Sequence, residues 1–204
     1  AEKNNLPIIS DEVFSEFIFD GKTFPRIAER AAMGAAGSTP IFTLSGISKT
    51  YALPGLKLSW IVVTGPEPKV SQYIDQLELS VDTLLACNQL AQAMLPAIIQ
   101  NGEPFLKKFR TRLEKSRNAA IAMLSKNKNI SFVKPAGGFY LFAEIHNFRN
   151  NKGAPGTDEE FVLQILERTG ILFHPGYFYD YEKGLYVLIS LLAPPDELSK
   201  LLKI

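Results

Sequence analysis

The chain has 204 residues, 46% hydrophobic and 21% charged, with 22 basic against 21 acidic side chains and a formal charge of +1. That is the composition of a globular domain or two, and without a dense basic block it gives no nucleic-acid footprint. One cysteine, Cys87, excludes an internal disulfide, and two histidines without companions leave no expected metal site. Cys87 is expected as a small buried hydrophobe. No apolar run approaches the roughly 20 residues that span a bilayer, and the first residues lack a signal-peptide pattern, so no membrane partner is expected. A cytoplasmic enzyme is the expectation.

Taken in chain order, three apolar runs read as buried strands: 7–13, 41–44 and 58–64. Continuous runs of this kind suit a sheet covered on both faces. A helix-like or loop segment at 25–33 separates the first two, and strand–connection–strand is the α/β pattern, with ligands at the carboxyl ends of strands. Val70, Ile74, Leu77 and Val81 are spaced four, three and four apart, predicting a helix over 66–83. A second helix is expected at 88–100, stopped by Asn101-Gly102, and a long amphipathic one at 104–126. Strands are expected at 130–133 and 138–145 around the turn Pro135-Ala136-Gly137-Gly138. After the polar loop 147–156, Thr157 and Glu160 form a capping-box pattern opening a helix to Thr169-Gly170. Strands at 171–173 and 185–192 and a closing helix at 194–202 complete an α+β second half. No internal repeat or low-complexity tract interrupts the chain.

The stretch Ser45-Gly46-Ile47-Ser48-Lys49-Thr50-Tyr51-Ala52-Leu53-Pro54-Gly55-Leu56-Lys57 places a lysine among small and hydroxyl residues directly after a strand, with a second cation beyond it. A lysine in a loop is ordinarily a solvated surface charge, so the residues around it must carry the argument. This segment resembles the Schiff-base signature of the class I/II (fold-type I) aminotransferases, which depend on pyridoxal 5'-phosphate (PLP). Upstream, Ser10-Asp11-Glu12-Val13-Phe14 is similar to that family's aspartate segment. Pro135-Ala136-Gly137-Gly138-Phe139-Tyr140 and Pro175-Gly176-Tyr177-Phe178 are like two of its later turns.

The resemblance implies a fold, a cofactor and roles. The fold would be α/β: residues 1–103 the C-terminal half of the large PLP-binding domain, built on a mostly parallel sheet with helices, and 104–204 a small α+β domain. Lys49 would hold PLP as a Schiff base and shuttle the proton of the reaction. Asp11 would face the pyridine nitrogen, because a protonated ring is the better electron sink. Ser48 and Lys57 would hold the phosphate, Phe14 would lie beside the cofactor, and Tyr177 is a candidate on the substrate side. Trp60, Tyr51 and Cys87 are expected to be structural. The reaction would move an amino group between an amino acid and a 2-oxo acid, in a homodimer.

Three positions depart from the family pattern. Phe14 stands where a tyrosine usually donates to the cofactor's phenolate oxygen, so the pH optimum should differ from that of tyrosine-bearing members. Lys57 replaces a phosphate-binding arginine, a point charge in place of a bidentate fork. Leu188, in Val187-Leu188-Ile189-Ser190, replaces the arginine that grips the substrate carboxylate. Family segments expected before residue 6 have no counterpart, so the chain is expected to be a fragment with little or no activity alone, which measurable turnover would refute. Two other readings stay open: a C–S lyase or synthase of the same fold, and a non-catalytic ligand-sensing module such as the aminotransferase-like half of a bacterial transcription regulator.

Overall fold

The computed structural model describes residues 1–30, 39–181, 183–196 and 198. The chain divides into two compact units, Ala1–Lys107 and Lys108–Ile204. Each is described by itself.

The first unit is built on strands β1 (Ile8–Asp11), β2 (Ile41–Gly46) and β3 (Ser59–Thr64), in the order β1-β2-β3. β1 runs parallel to β2, and β3 antiparallel to it. The central strand alternates between buried and half-buried side chains. The outer two do not: Ile9 on β1 is 70% exposed, and Ile61 and Val62 on β3 are exposed as well. The expectation of strands covered on both faces is therefore corrected. Among the described residues β1 pairs on one side only, and apolar side chains of both flanking strands meet solvent.

Short helices α1 (Ile27–Arg30) and α2 (Ile47–Thr50) precede and follow β2, and a 3-10 turn, Pro54–Leu56, leads to β3. Of the segment expected at 25–33, residues 31–38 lie outside the described residues. α3 (Glu67–Leu84) follows the four-three-four pattern, yet only Val70 of its stripe is buried, while Ile74 and Val81 are exposed. α4 (Gln89–Asn101) opens where Asn88 Oδ1 accepts the Ala91 N–H at 3.1 Å, satisfying one of the helix's orphan donors. Cys87, between these helices, is half-buried rather than buried.

α5 (Glu103–Leu124) carries the chain from one unit into the other. In the second unit, Phe109, Leu113, Ala120 and Leu124 fall on one buried stripe. The sheet there has the order β4-β5-β7-β6 and is antiparallel throughout: β4 (Ile130–Phe132), β5 (Tyr140–Ile145), β6 (His174–Pro175) and β7 (Tyr186–Ser190). Leu141, Ala143, Val187 and Ile189 form its buried face. Buried Arg117 of α5 donates through Nε to the Pro135 carbonyl at 2.9 Å, clamping the turn that leads into β5. Deleting the Leu141 side chain from the middle of this core is expected to cost about 2–5 kcal/mol, which denaturant unfolding of Leu141→Ala beside the parent would measure.

α6 (Asp158–Thr169) begins at the expected capping box. Thr157 Oγ1 accepts the Glu160 N–H at 3.2 Å, and the Glu160 carboxylate accepts the Thr157 N–H at 3.0 Å. Gly170 ends it in the left-handed region, at φ 74°. The strand expected at 171–173 is not there. The Thr169 hydroxyl takes up the Ile171 N–H at 3.3 Å, and pairing with β7 begins only at His174. The closing helix expected at 194–202 lies largely outside the described residues.

Candidate active site

The register of the first sheet decides which residues meet. Asp11 ends β1 opposite Leu44 of the parallel β2, and Lys49 follows β2 on α2. β3 enters antiparallel with Ser59 opposite Gly46, so Lys57, two residues before it, lies at the same end. Asp11, Phe14, Ser48, Lys49 and Lys57 are thus gathered at one end of the sheet, the carboxyl end of its parallel pair, where α/β sheets place ligands.

That end is rigidly made. Gly46 lies in extended backbone, and a Cβ there would come within 3.0 Å of both the Leu58 carbonyl oxygen and Ser59 Cβ, so glycine allows a close approach to β3. The Ile47 N–H donates to the Leu58 carbonyl at 3.2 Å. Ile47 is fully buried and forms a cluster with Leu58 and Ala91, against which Tyr51, Leu53, Leu56, Trp60, Leu95 and Ile98 pack. The lysine's helix is therefore fixed by the apolar side chain two positions before it. Trp60 and Tyr51 are packing residues here.

Asp11 is exposed, and its Oδ1 accepts the Val13 N–H at 3.1 Å in a tight Asx turn. Oδ2 has no hydrogen bond among the described residues. Nor is the Lys49 amine, the Lys57 amine or the Ser48 hydroxyl hydrogen-bonded or ion-paired to a described residue. Lys57 sits in the left-handed region at φ 50°. Among the described residues, one carboxylate oxygen, two amines and a hydroxyl at this end are thus left for a ligand that offers a hydrogen-bond donor and negatively charged oxygens.

The sequence alone singles out Asp11 and passes over its neighbour. Glu12 is buried and accepts from Ser10, Arg26 and the backbone of Ile27. Strand alternation is the signal that could have found it, because adjacent residues face opposite sides, and an acid turned inward needs a cation.

Tyr177 lies in the second unit, on the 3-10 turn Gly176–Tyr179, with its N–H donated to Asp158 Oδ2 at 3.0 Å. Its phenol is raised above the ordinary value, by burial first and then by the charges of Glu159 and Asp158. Leu188 stands on β7 between Phe142 of β5 and His174 of β6 in the strand register. Phe142 stacks on Tyr186 at 5.0 Å and meets Tyr181 edge-on at 5.3 Å, so an aromatic cluster lies beside that position.

Burial, followed by hydrogen bonds with Glu144 and Tyr181, pushes the Tyr186 phenol up from 10.0 to about 12. The folded state therefore holds this proton more tightly than the unfolded chain. The stability it contributes is present in full below pH 10 and is lost as pH rises from there to about 12. Ultraviolet titration is expected to show a late tyrosine that Glu144→Gln brings to lower pH.

Residues 1–200 match the aminotransferase class I and II family, and the chain belongs to that family. It is 29% identical over 201 residues to the glutamate–pyruvate aminotransferase AlaA of Escherichia coli, covering 97% of this chain and 47% of that protein. The crystal structure of an aminotransferase from Escherichia coli superposes with a TM-score of 0.83 at 27% identity, over 99% of this chain and 48% of that one. The alanine aminotransferase from Pyrococcus furiosus gives a TM-score of 0.81 at 26% identity, over 99% and 49%. The architecture is thus that of the fold-type I aminotransferases, and the chain spans about half the length of the curated relatives it matches. No helix among the described residues is long and apolar enough to cross a membrane.

Proposed function

We propose that this chain is the PLP-holding part of an aminotransferase that moves an amino group between an amino acid and a 2-oxo acid. The observation that carries the reading is the gathering of Asp11, Ser48, Lys49 and Lys57 at one end of the first sheet, with Asp11 Oδ2, the Ser48 hydroxyl and both amines making no hydrogen bond or ion pair among the described residues. Lys49 would hold the cofactor covalently, and its amine would carry the proton between the substrate Cα and the cofactor's C4′. Asp11 Oδ2 would accept from the ring nitrogen, and Ser48 and Lys57 would bind the phosphate. Phe14 would offer the cofactor an apolar edge and no donor. When bound, PLP supplies the electron sink for the pair left at Cα.

Residues 1–103 would form half of the large domain and 104–204 the small one, with Tyr177 on the substrate side, in a cytoplasmic homodimer. Half of a catalytic unit would turn over little by itself, and the solvent-facing apolar side chains of β1 and β3 support that expectation. Glutamate with pyruvate is the first pair to test, given the activities for which the relatives are named.

Leu188 favours a second reading, a ligand-sensing module that binds without turnover. An arginine restored there would supply a charge-assisted bidentate contact of about 1.5–3 kcal/mol. Leu188→Arg is therefore expected to lower KM for α-amino acids by roughly tenfold or more, with kcat less affected. The deciding experiment is borohydride reduction in the presence of PLP followed by peptide mapping, on this chain and on the longest polypeptide its gene encodes. A label on the Lys49 peptide, together with pyridoxamine phosphate and a keto acid after glutamate is added, supports the aminotransferase. Label without oxo-acid product points to the lyase or sensing readings, and label elsewhere removes Lys49.

A further inference from the structure

Three donors converge on one buried carboxylate beside the candidate site. The side chain of Glu12 is 1% exposed; its Oε1 accepts the Ile27 N–H at 3.0 Å and the Ser10 hydroxyl at 3.2 Å, and its Oε2 accepts from Arg26 Nη1 at 3.4 Å. Arg26 reaches outward to pair with Glu16 as well. The segment from Val13 to Arg26 is in this way tied back to the end of β1. The Glu12 N–H adds a rung to the sheet, donating to the Leu44 carbonyl at 2.9 Å.

Two fixed points follow Asp11 directly: the Glu12 anchor, and the Val13 N–H, donated to Asp11 Oδ1. Successive residues of a strand face opposite ways, so the acid locked inward sets the direction in which its neighbour faces outward. We propose that Glu12, held by Arg26, is a positioning residue for Asp11. The ion pair would fix the angle at which the Asp11 carboxylate meets the cofactor's ring nitrogen. The inference rests on the assignment of Asp11 to that nitrogen. A buried acid whose cation is removed is left uncompensated, so the pair must act as a unit.

A merely structural pair would change stability and nothing else, so the test reads more than stability. In the full-length protein, Glu12→Gln, Arg26→Gln and the double variant are compared with Asp11→Asn by three measurements. These are the PLP dissociation constant, the pH titration of the bound cofactor's visible band, and the melting of the PLP-free protein. Each single variant is expected to weaken PLP binding by about tenfold, the size seen when a ligand's outer partner is lost. Each should also move the band's titration in the same direction as Asp11→Asn, by less. The double variant should recover part of the loss, since no buried charge is then left alone. Singles that melt early but bind and titrate like the parent overturn the proposal and leave Glu12 a fold element. Should Glu12→Gln not fold, Arg26→Gln, on the half-exposed side of the pair, carries the same test alone. An unmoved titration in Asp11→Asn removes the Asp11 assignment, and the proposal falls with it.

Discussion

If Lys49 plays the proposed part, replacing it with alanine in the full-length protein is expected to cut transamination by at least about a thousandfold, because both the covalent attachment and the proton carrier would be lost. The loss should be chemical and not structural. The helix bearing Lys49 is anchored by Ile47, which is fully buried, and by the backbone bond from Ile47 to Leu58. The amine itself holds no described residue in place. Melting of the cofactor-free variant should therefore match the parent, and PLP should still bind through its phosphate and ring nitrogen. Steady-state assay, borohydride trapping and thermal melting of the same preparation separate these outcomes. Turnover within tenfold of the parent would remove Lys49 from the chemistry.

Asp11→Asn should have the second largest effect. The amide oxygen can still accept the Val13 N–H, so the turn at the end of β1 survives. What would disappear is the negative charge proposed to face the ring nitrogen. A charge-assisted hydrogen bond of about 2–3 kcal/mol corresponds to about 30–150-fold in rate. The drop should fall on kcat and kcat/KM alike, since the protonated ring matters most as charge develops at Cα. An unchanged kcat with a raised KM would instead make Asp11 a binding group only.

Much of the fold is legible in the sequence, and the reasons differ from place to place. Apolar runs bounded by turn residues located β2 and β3 to within a few residues, because strand burial leaves a direct trace in composition. The Thr157–Glu160 box worked because both of its hydrogen bonds are local. Pairing partners and strand sense are not local, so nothing in 58–64 distinguished an antiparallel β3 from a parallel one. The regular spacing of Val70, Ile74, Leu77 and Val81 announced an apolar stripe but not what, if anything, in this chain covers it. At 171–173 the strand-like composition yielded to a side-chain bond from Thr169, a competitor that propensity does not weigh. For the proposed site, Lys49 and Asp11 were singled out by the pattern around them. The partners of Glu12 were not, since Arg26 is distant in sequence and joined to it only by folding.

The junction of α4 and α5 bears on how this protein can change over generations. Gly102 has an ordinary right-handed backbone, at φ −82°, so nothing in its torsions demands glycine. Space does: a methyl group there would overlap the ring of Tyr51, coming within 2.7 Å of Cδ1, and would crowd the Ile98 carbonyl. Tyr51 lies two residues beyond Lys49. Any enlargement at 102 must therefore displace the Tyr51 ring or push the two helices apart. In a saturation library selected for activity, position 102 should be nearly frozen, although it bears no side chain. Variants that escape should carry a smaller residue at 51, so mutational freedom at this bend is inherited as a pair.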